Sequence, residues 1–93
     1  MKLEQIYAGE NYKILNAEVP GGGTMPEHYA TSDAFVIIRK GEASVNFDDG
    51  TQATIKEGAT YLIPGNKRHN LQVLKDFEAF IVIGPEAKIE MAK

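Results

Sequence analysis

The chain has 93 residues, of which 43% are hydrophobic, and a formal net charge of −3 at pH 7. This length suits one domain, expected over residues 1–93, and the apolar fraction supports a packed core rather than a disordered chain. The acidic balance offers no basic face for a phosphate backbone, so we expect no nucleic-acid partner, and the absence of cysteine excludes disulfides and thiolate chemistry.

The N-terminal segment does not have the pattern of an export signal. Lys2, Glu4 and Gln5 interrupt its apolar character. No apolar run in the sequence approaches the roughly 18 residues that a membrane-spanning helix needs. We therefore expect a cytoplasmic protein with no membrane partner.

Frequent glycine and proline residues divide the rest of the chain into short segments that are typical of strands. These segments are residues 12–19, 35–39, 43–47, 51–55, 60–63, 71–74 and 77–83. Asp48, Asp49 and Gly50 predict a hairpin turn, because Asp-Gly tolerates the positive φ that such turns require. The tail, 86–93, has helical propensity and predicts at most a short C-terminal helix. Many short strands at this spacing predict an all-β sandwich or barrel.

The segment 35–39 is apolar on both of its faces. If Val36 and Ile38 face the interior, Phe35 and Ile37 lie on the outer surface, and a small domain has little of its own to cover them. Exposed apolar surface of this kind usually marks an interface. We therefore expect a homodimer.

From Gly22 onward the chain resembles the cupin superfamily, whose first motif is G-x5-H-x-H-x3,4-E-x6-G and whose second is G-x5-P-x-G-x2-H-x3-N. Motif one falls at about 22–41 and motif two at about 58–73. Six positions of the chain match the motifs in register: Gly22, His28, Gly41, Gly58, Pro64 and His69. The resemblance implies a single small cupin-type β-barrel, also called a double-stranded β-helix or jelly roll.

The chain departs from the family pattern at the positions that hold a metal. The second histidine of motif one is replaced by Ala30 and the glutamate by Ala34, so only His28 and His69 remain of the usual ligands. Two imidazoles make a poor divalent site, because catalytic metals usually have three protein ligands. No cofactor is assured, and zinc, nickel, iron, manganese or copper can be held only weakly. Asp33 can replace the lost carboxylate only if a one-residue bulge turns it inward.

The two alanines also leave room inside the expected barrel, since positions 28, 30 and 34 share its inward face. Tyr61, Ile63 and Phe47 either refill that room, which is the alternative we favour, or leave a pocket. In a pocket, His28, Ala30, Ala34, Tyr61 and His69 would contact a small-molecule ligand. Two imidazoles that lie close together would each lower the pKa of the other.

Three functions remain open. The first, which we take as the working hypothesis, is a non-catalytic small-molecule-binding protein or an accessory dimer. The second is a metal-dependent enzyme, similar to cupin dioxygenases or isomerases, that uses His28 and His69. The third is a structural module with a filled barrel. No catalytic residue can be assigned, and whether the protein is an enzyme stays open, because a fold does not fix a function.

Overall fold

The computed structural model describes residues 1–92. Over that range the secondary structure consists of eight strands without a helix. The strands are β1 (Lys2–Ala8), β2 (Lys13–Val19), β3 (Thr24–Ala30), β4 (Ala34–Phe47), β5 (Gln52–Lys56), β6 (Thr60–Ile63), β7 (His69–Ile83) and β8 (Ile89–Met91). The all-β prediction is therefore confirmed. In the described part of the chain nothing is helical and apolar enough to cross a membrane.

The expected C-terminal helix does not form. Residues 89–91 pair instead with β3 in antiparallel register, Ala30 opposite Ile89 and Tyr29 opposite Glu90. The helical propensity of this segment loses to packing, because Ile89 reaches the core cluster while the backbone pairs with a free strand edge. Lys93, the last residue of the expected helix, lies outside the described residues.

Two strands are longer than the sequence predicts. Segments 35–39 and 43–47 belong to one 14-residue strand, β4, and segments 71–74 and 77–83 belong to the 15-residue strand β7. The two strands pair along most of their length, with irregular register around Lys40 and Glu42. There they bend instead of ending, and the bend curls the sheet.

The curled sheet encloses one core. Its strands follow the order β1-β2-β7-β3-β8, and β4 pairs with β7 as well as with β5 and β6. The residues 77–83 of β7 lie between β2 and β4, while its first residues lie between β3 and β4. Side chains alternate between the two faces, so that Val36 and Ile38 are buried and Phe35 is exposed, as predicted.

The strand β1 was not predicted from the sequence. All seven of its residues are exposed, and it pairs with β2 alone among the described strands. A strand without a buried face has no apolar alternation that a sequence pattern can reveal.

Candidate functional site

A β-bulge turns His28 into the barrel. On β3, Met25 lies opposite Leu71 and His28 lies opposite His69, so two residues on β3 lie opposite the single residue Asn70 on β7. Met25 and His28 are both buried, although an odd separation would place them on opposite faces of a regular strand. The extra residue falls at Pro26 and Glu27. Proline has no backbone N–H, so the bulge leaves no ladder N–H unpaired at Pro26.

His28 and His69 face each other across the pair β3 and β7. Their ring centroids are 4.3 Å apart, and the ring planes are inclined by 61°. Phe47 lies on the other side of His69, at 5.8 Å between ring centroids. The two histidine side chains are 7% and 5% exposed, so both imidazoles belong to the interior.

Both imidazoles are held in the same tautomer. Nδ1 of His28 donates to the carbonyl oxygen of Pro26 at 2.7 Å, and Nδ1 of His69 donates to that of Lys67 at 2.8 Å. A carbonyl oxygen can only accept a hydrogen bond, so each Nδ1 carries the hydrogen and each neutral ring has its lone pair on Nε2. The bulge thus serves twice, because it aims His28 and also places the carbonyl that orients it.

Within the described residues the Nε2 atoms of the two rings make no hydrogen bond, and both rings line the interior space between the strands. The hydrogen bonds of both rings go through Nδ1. Among residues 1–92, no fully buried side-chain nitrogen or oxygen lacks a partner, so Nε2 has accessible surface on each ring. Burial lowers the pKa of His69, and the nearby His28 lowers it further, against the opposing effect of the Lys67 carbonyl. The direction for His69 agrees with the one predicted for a close pair of imidazoles.

A cavity of about 60 Å³ lies beside the two imidazoles. His28, His69, Ala30 and Ala34 all line it, as expected for the inward positions of the two motifs. The rest of its wall is apolar and consists of Ala17, Met25, Val36, Val45, Ile55, Ile63, Leu71, Phe77, Ala79, Ile81 and Ile89.

The favoured expectation that bulky neighbours refill the room left by the alanines is wrong in part. Ile63 does line the space, but Phe47 and Tyr61 are not part of its wall. Phe47 stacks beside His69 instead, and Tyr61 packs against the core from a half-buried position opposite Val36. Tyr61 is therefore the one expected ligand-contacting residue that the structure leaves outside the cavity.

The residues present do not fit a catalytic divalent metal. Asp33, the carboxylate that a bulge would have to turn inward, is exposed, and its Oδ1 accepts a hydrogen bond from the backbone N–H of Gly65 at 2.8 Å. Within residues 1–92, three or more histidine, cysteine, aspartate or glutamate side chains do not converge anywhere in a way that could hold a metal. Two imidazoles in an apolar cavity leave too few donors for a zinc or non-heme iron centre.

Two cavity residues lie where the sequence did not predict an inward side chain. Met25 lies inward only because of the bulge, and Ile89 belongs to the segment expected to be helical. Ile81 and Ile89 are only partly buried, unlike the other residues of the wall. The alternation of 77–83 did place Ile81 on the same face as Phe77 and Ala79, and all three line the cavity.

A profile of the cupin domain family matches residues 16–83 of the chain. An uncharacterised protein of Methanocaldococcus jannaschii is 31% identical over 88 residues, which are 92% of this chain and 76% of that protein. The crystal structure of the same protein, described as an RmlC-like cupin with a double-stranded β-helix fold, superposes with a TM-score of 0.80 at 30% identity. That superposition covers 90% of this chain and 79% of the other.

The fold is shared with proteins whose sequences are more distant. A double-stranded β-helix protein of Klebsiella pneumoniae has a TM-score of 0.81 at 15% identity, covering 95% of this chain and 75% of that one. The DMSP lyase DddQ of Ruegeria pomeroyi also has a TM-score of 0.81, at 17% identity, with 91% of this chain and 45% of that chain covered. At these identities the likeness concerns the fold alone.

Proposed function

The chain belongs to the cupin domain family, and on that premise we propose that it is a metal-independent binding protein that holds a small molecule in its barrel and acts as a homodimer. The main support for this proposal is the pair of Nε2 atoms that make no hydrogen bond and belong to rings lining the cavity, in a wall that is otherwise apolar. Apolar concavities with a few placed polar groups are the usual form of small-molecule sites.

The cavity also argues for a binder over a structural module. A filled barrel would place larger side chains at positions 30 and 34, since voids in a core cost stability. Here the two positions carry single methyl groups, and the space of about 60 Å³ beside them is large enough for water or a small ligand group. Each buried ring leaves its Nε2 lone pair without a protein partner, which costs stability unless a bound group satisfies it.

A cavity-filling variant tests the proposal. In Ala30→Leu the added isobutyl group occupies the space beside the imidazoles, so we expect small polar fragments to lose binding at least about tenfold, while the fold survives. Ala8→Leu adds the same atoms on the exposed strand β1 and serves as the matched control. Binding is measured by ¹H–¹⁵N NMR titration with a fragment mixture. Unchanged binding in Ala30→Leu, or no fragment bound by the wild type, would overturn the proposal.

The dimer proposal rests on an apolar row on the outer face of the sheet, here called the outer stripe. Cross-strand partners share a face, and the registers connect β1, β2, β7, β4 and β6 in one line. The outer stripe consists of Tyr7, Ile14, Val82, Phe35 and Leu62. Of these, Tyr7 is 49% exposed, Phe35 42% and Leu62 53%, which is unusual for apolar side chains that lie in contact.

The charges beside the outer stripe suit a second copy of the same chain. One further row on this face runs Lys2, Glu18, Glu78 and Lys40, with both signs interspersed. A two-fold contact places the same surface of two copies face to face. A row that carries both positive and negative side chains can then form ion pairs with its own copy, whereas a partner with charges of one sign only would be repelled by part of the row. Aromatic side chains such as Tyr7 and Phe35 are typical anchors of such interfaces.

Size-exclusion chromatography with light scattering tests the dimer. We expect the wild type at twice its mass of 10.2 kDa and Phe35→Asp at the monomer mass. Leu74→Asp is the matched control, because Leu74 is 56% exposed but lies in the bend of β7, off the outer stripe. A monomeric wild type at tens of micromolar, or a dimeric Phe35→Asp, would contradict the proposal.

A further inference from the structure

We propose that the cavity selects a neutral hydrogen-bond donor, a hydroxyl-bearing head group of two or three heavy atoms, and rejects molecules of equal size that offer only acceptors. The inference rests on the proposed binding function and specifies its ligand class. It follows from the direction of the hydrogen bonds that the two imidazoles already make.

The site presents acceptors and no donors. Each Nδ1 hydrogen is committed to a carbonyl oxygen, of Pro26 for one ring and of Lys67 for the other. What each neutral ring offers to the cavity is therefore the Nε2 lone pair. The remaining wall consists of alanine, valine, leucine, isoleucine, methionine and phenylalanine side chains, which supply no strong hydrogen-bond donor.

This polarity decides between chemical classes of ligand. A hydroxyl group satisfies one lone pair with its hydrogen, and its short carbon body contacts the methyl groups of Ala30 and Ala34. A nitrile, ketone or ether has no hydrogen to donate. Its own lone pair would point at the lone pair of Nε2, and the imidazole nitrogen would stay without a hydrogen bond. A carboxylate or ammonium group would be a buried charge without an opposite charge, which costs much more.

The volume limits the part of the ligand that is enclosed. An engineered apolar cavity of about 150 Å³ takes benzene, with six carbon atoms. By proportion, about 60 Å³ takes roughly two or three heavy atoms. The rest of a larger ligand would lie outside the cavity.

Ethanol and acetonitrile form a matched pair of probes, because each has three heavy atoms and only ethanol donates. They are titrated into ¹⁵N-labelled wild-type protein at pH 8, where imidazole is neutral, and the Nε2 signals and the methyl signals of Ala30 and Ala34 are followed. A ligand of three atoms cannot bind more tightly than about 1 mM, so the titration extends to several hundred millimolar. We expect saturable shifts with ethanol and an affinity for acetonitrile at least about tenfold weaker.

A variant at His69 tests whether the imidazole itself causes the preference. His69→Phe retains an aromatic ring but removes one acceptor, so the preference for ethanol over acetonitrile should shrink. The backbone ¹H–¹⁵N spectrum should remain that of a folded protein. Equal affinities for the two probes in the wild type would overturn this inference and leave the proposed binding function standing. No saturable shift with either probe would overturn both.

Discussion

Two methyl groups and two imidazoles define the site at the scale of single residues. Ala30 and Ala34 line the same cavity as His28 and His69, so all four positions of the family's ligand set converge although only two can coordinate a metal. The backbone still brings the four positions together, but the two alanine side chains have no donor atom. The shortage of donor atoms is therefore a property of two side chains and not of the fold.

Restoring those side chains should restore the metal site. In Ala30→His with Ala34→Glu, three imidazoles and a carboxylate point into one cavity, a set that suits divalent iron, manganese or nickel. We expect nearly one metal ion per chain by mass spectrometry after dialysis, against a small fraction in the wild type. Metal should also raise the melting temperature of the double variant, because a ligand that binds only the folded state stabilises it. An unchanged metal content would show that the four positions do not converge.

The pH dependence of stability should report the buried imidazole of His69. Its pKa is lowered in the folded protein, so the unfolded chain takes up the proton first as the pH falls. This contribution to stability is full above the unfolded-state pKa of about 6.5 and declines as the pH drops below it. Urea unfolding at pH 8 and at pH 5.5 measures the effect, and His69→Asn should unfold with a smaller difference between the two. A wild type that gains stability over this fall in pH would contradict the assignment.

The sequence predicts which residues form the site better than it predicts what surrounds them. His28, Ala30, Ala34 and His69 follow from motif spacing and strand alternation, because a barrel turns alternate residues to its inside. The exclusion of Tyr61 and Phe47 from the cavity depends on side-chain packing between strands that are distant in sequence. No local pattern carries that information.

The strands owe their shape to a few backbone irregularities at the scale of elements. The bulge at Pro26 and Glu27 turns His28 inward, and the bend around Gly41 lets β4 pair with both halves of β7. Residues 35–39 and 43–47 were predicted as separate strands because Gly41 interrupts the apolar pattern. The interruption is real, but it marks a bend inside a strand, which composition cannot distinguish from a turn.

Gly41 is the residue on which that bend depends. Its φ is +83°, and an added Cβ would lie 1.9 Å from the backbone oxygen of Asp76. Gly50 has a similar φ of +91° with open space around it. Gly50→Ala should therefore lower the free energy of unfolding only by the cost of the left-handed conformation, roughly 1–2 kcal/mol. Gly41→Ala adds a backbone clash and should lower it by at least about 3 kcal/mol. Urea unfolding compares the two, and equal losses would mean that the bend is not tightly packed.

Its small size leaves the whole molecule with a thin core. A domain of about this length buries only some 60% of its unfolded surface, and this one has no disulfide to support it. The outer stripe adds apolar area that an isolated barrel leaves in water. Association through this face would bury it and would also cover the outer side of β1, whose residues are all exposed.

Thermal stability should therefore depend on protein concentration. For a homodimer, mass action raises the melting temperature as the concentration increases. We expect a rise of several degrees between about 5 and 500 μM for the wild type and for Leu74→Asp, and none for Phe35→Asp. Differential scanning calorimetry measures all three, and a wild-type midpoint independent of concentration would argue for a monomer.

The proposed binding site depends on one arrangement, in which two neutral imidazoles, each with a free Nε2, face each other beside a cavity in the barrel. Long-range ¹H–¹⁵N NMR of the imidazole rings at pH 8, combined with nuclear Overhauser measurements, tests it most directly. We expect a protonated Nδ1 and a bare Nε2 on both rings, with contacts between the rings and from them to the methyl groups of Ala30 and Ala34. A hydrogen on Nε2 of either ring, or two rings without mutual contacts, would contradict it.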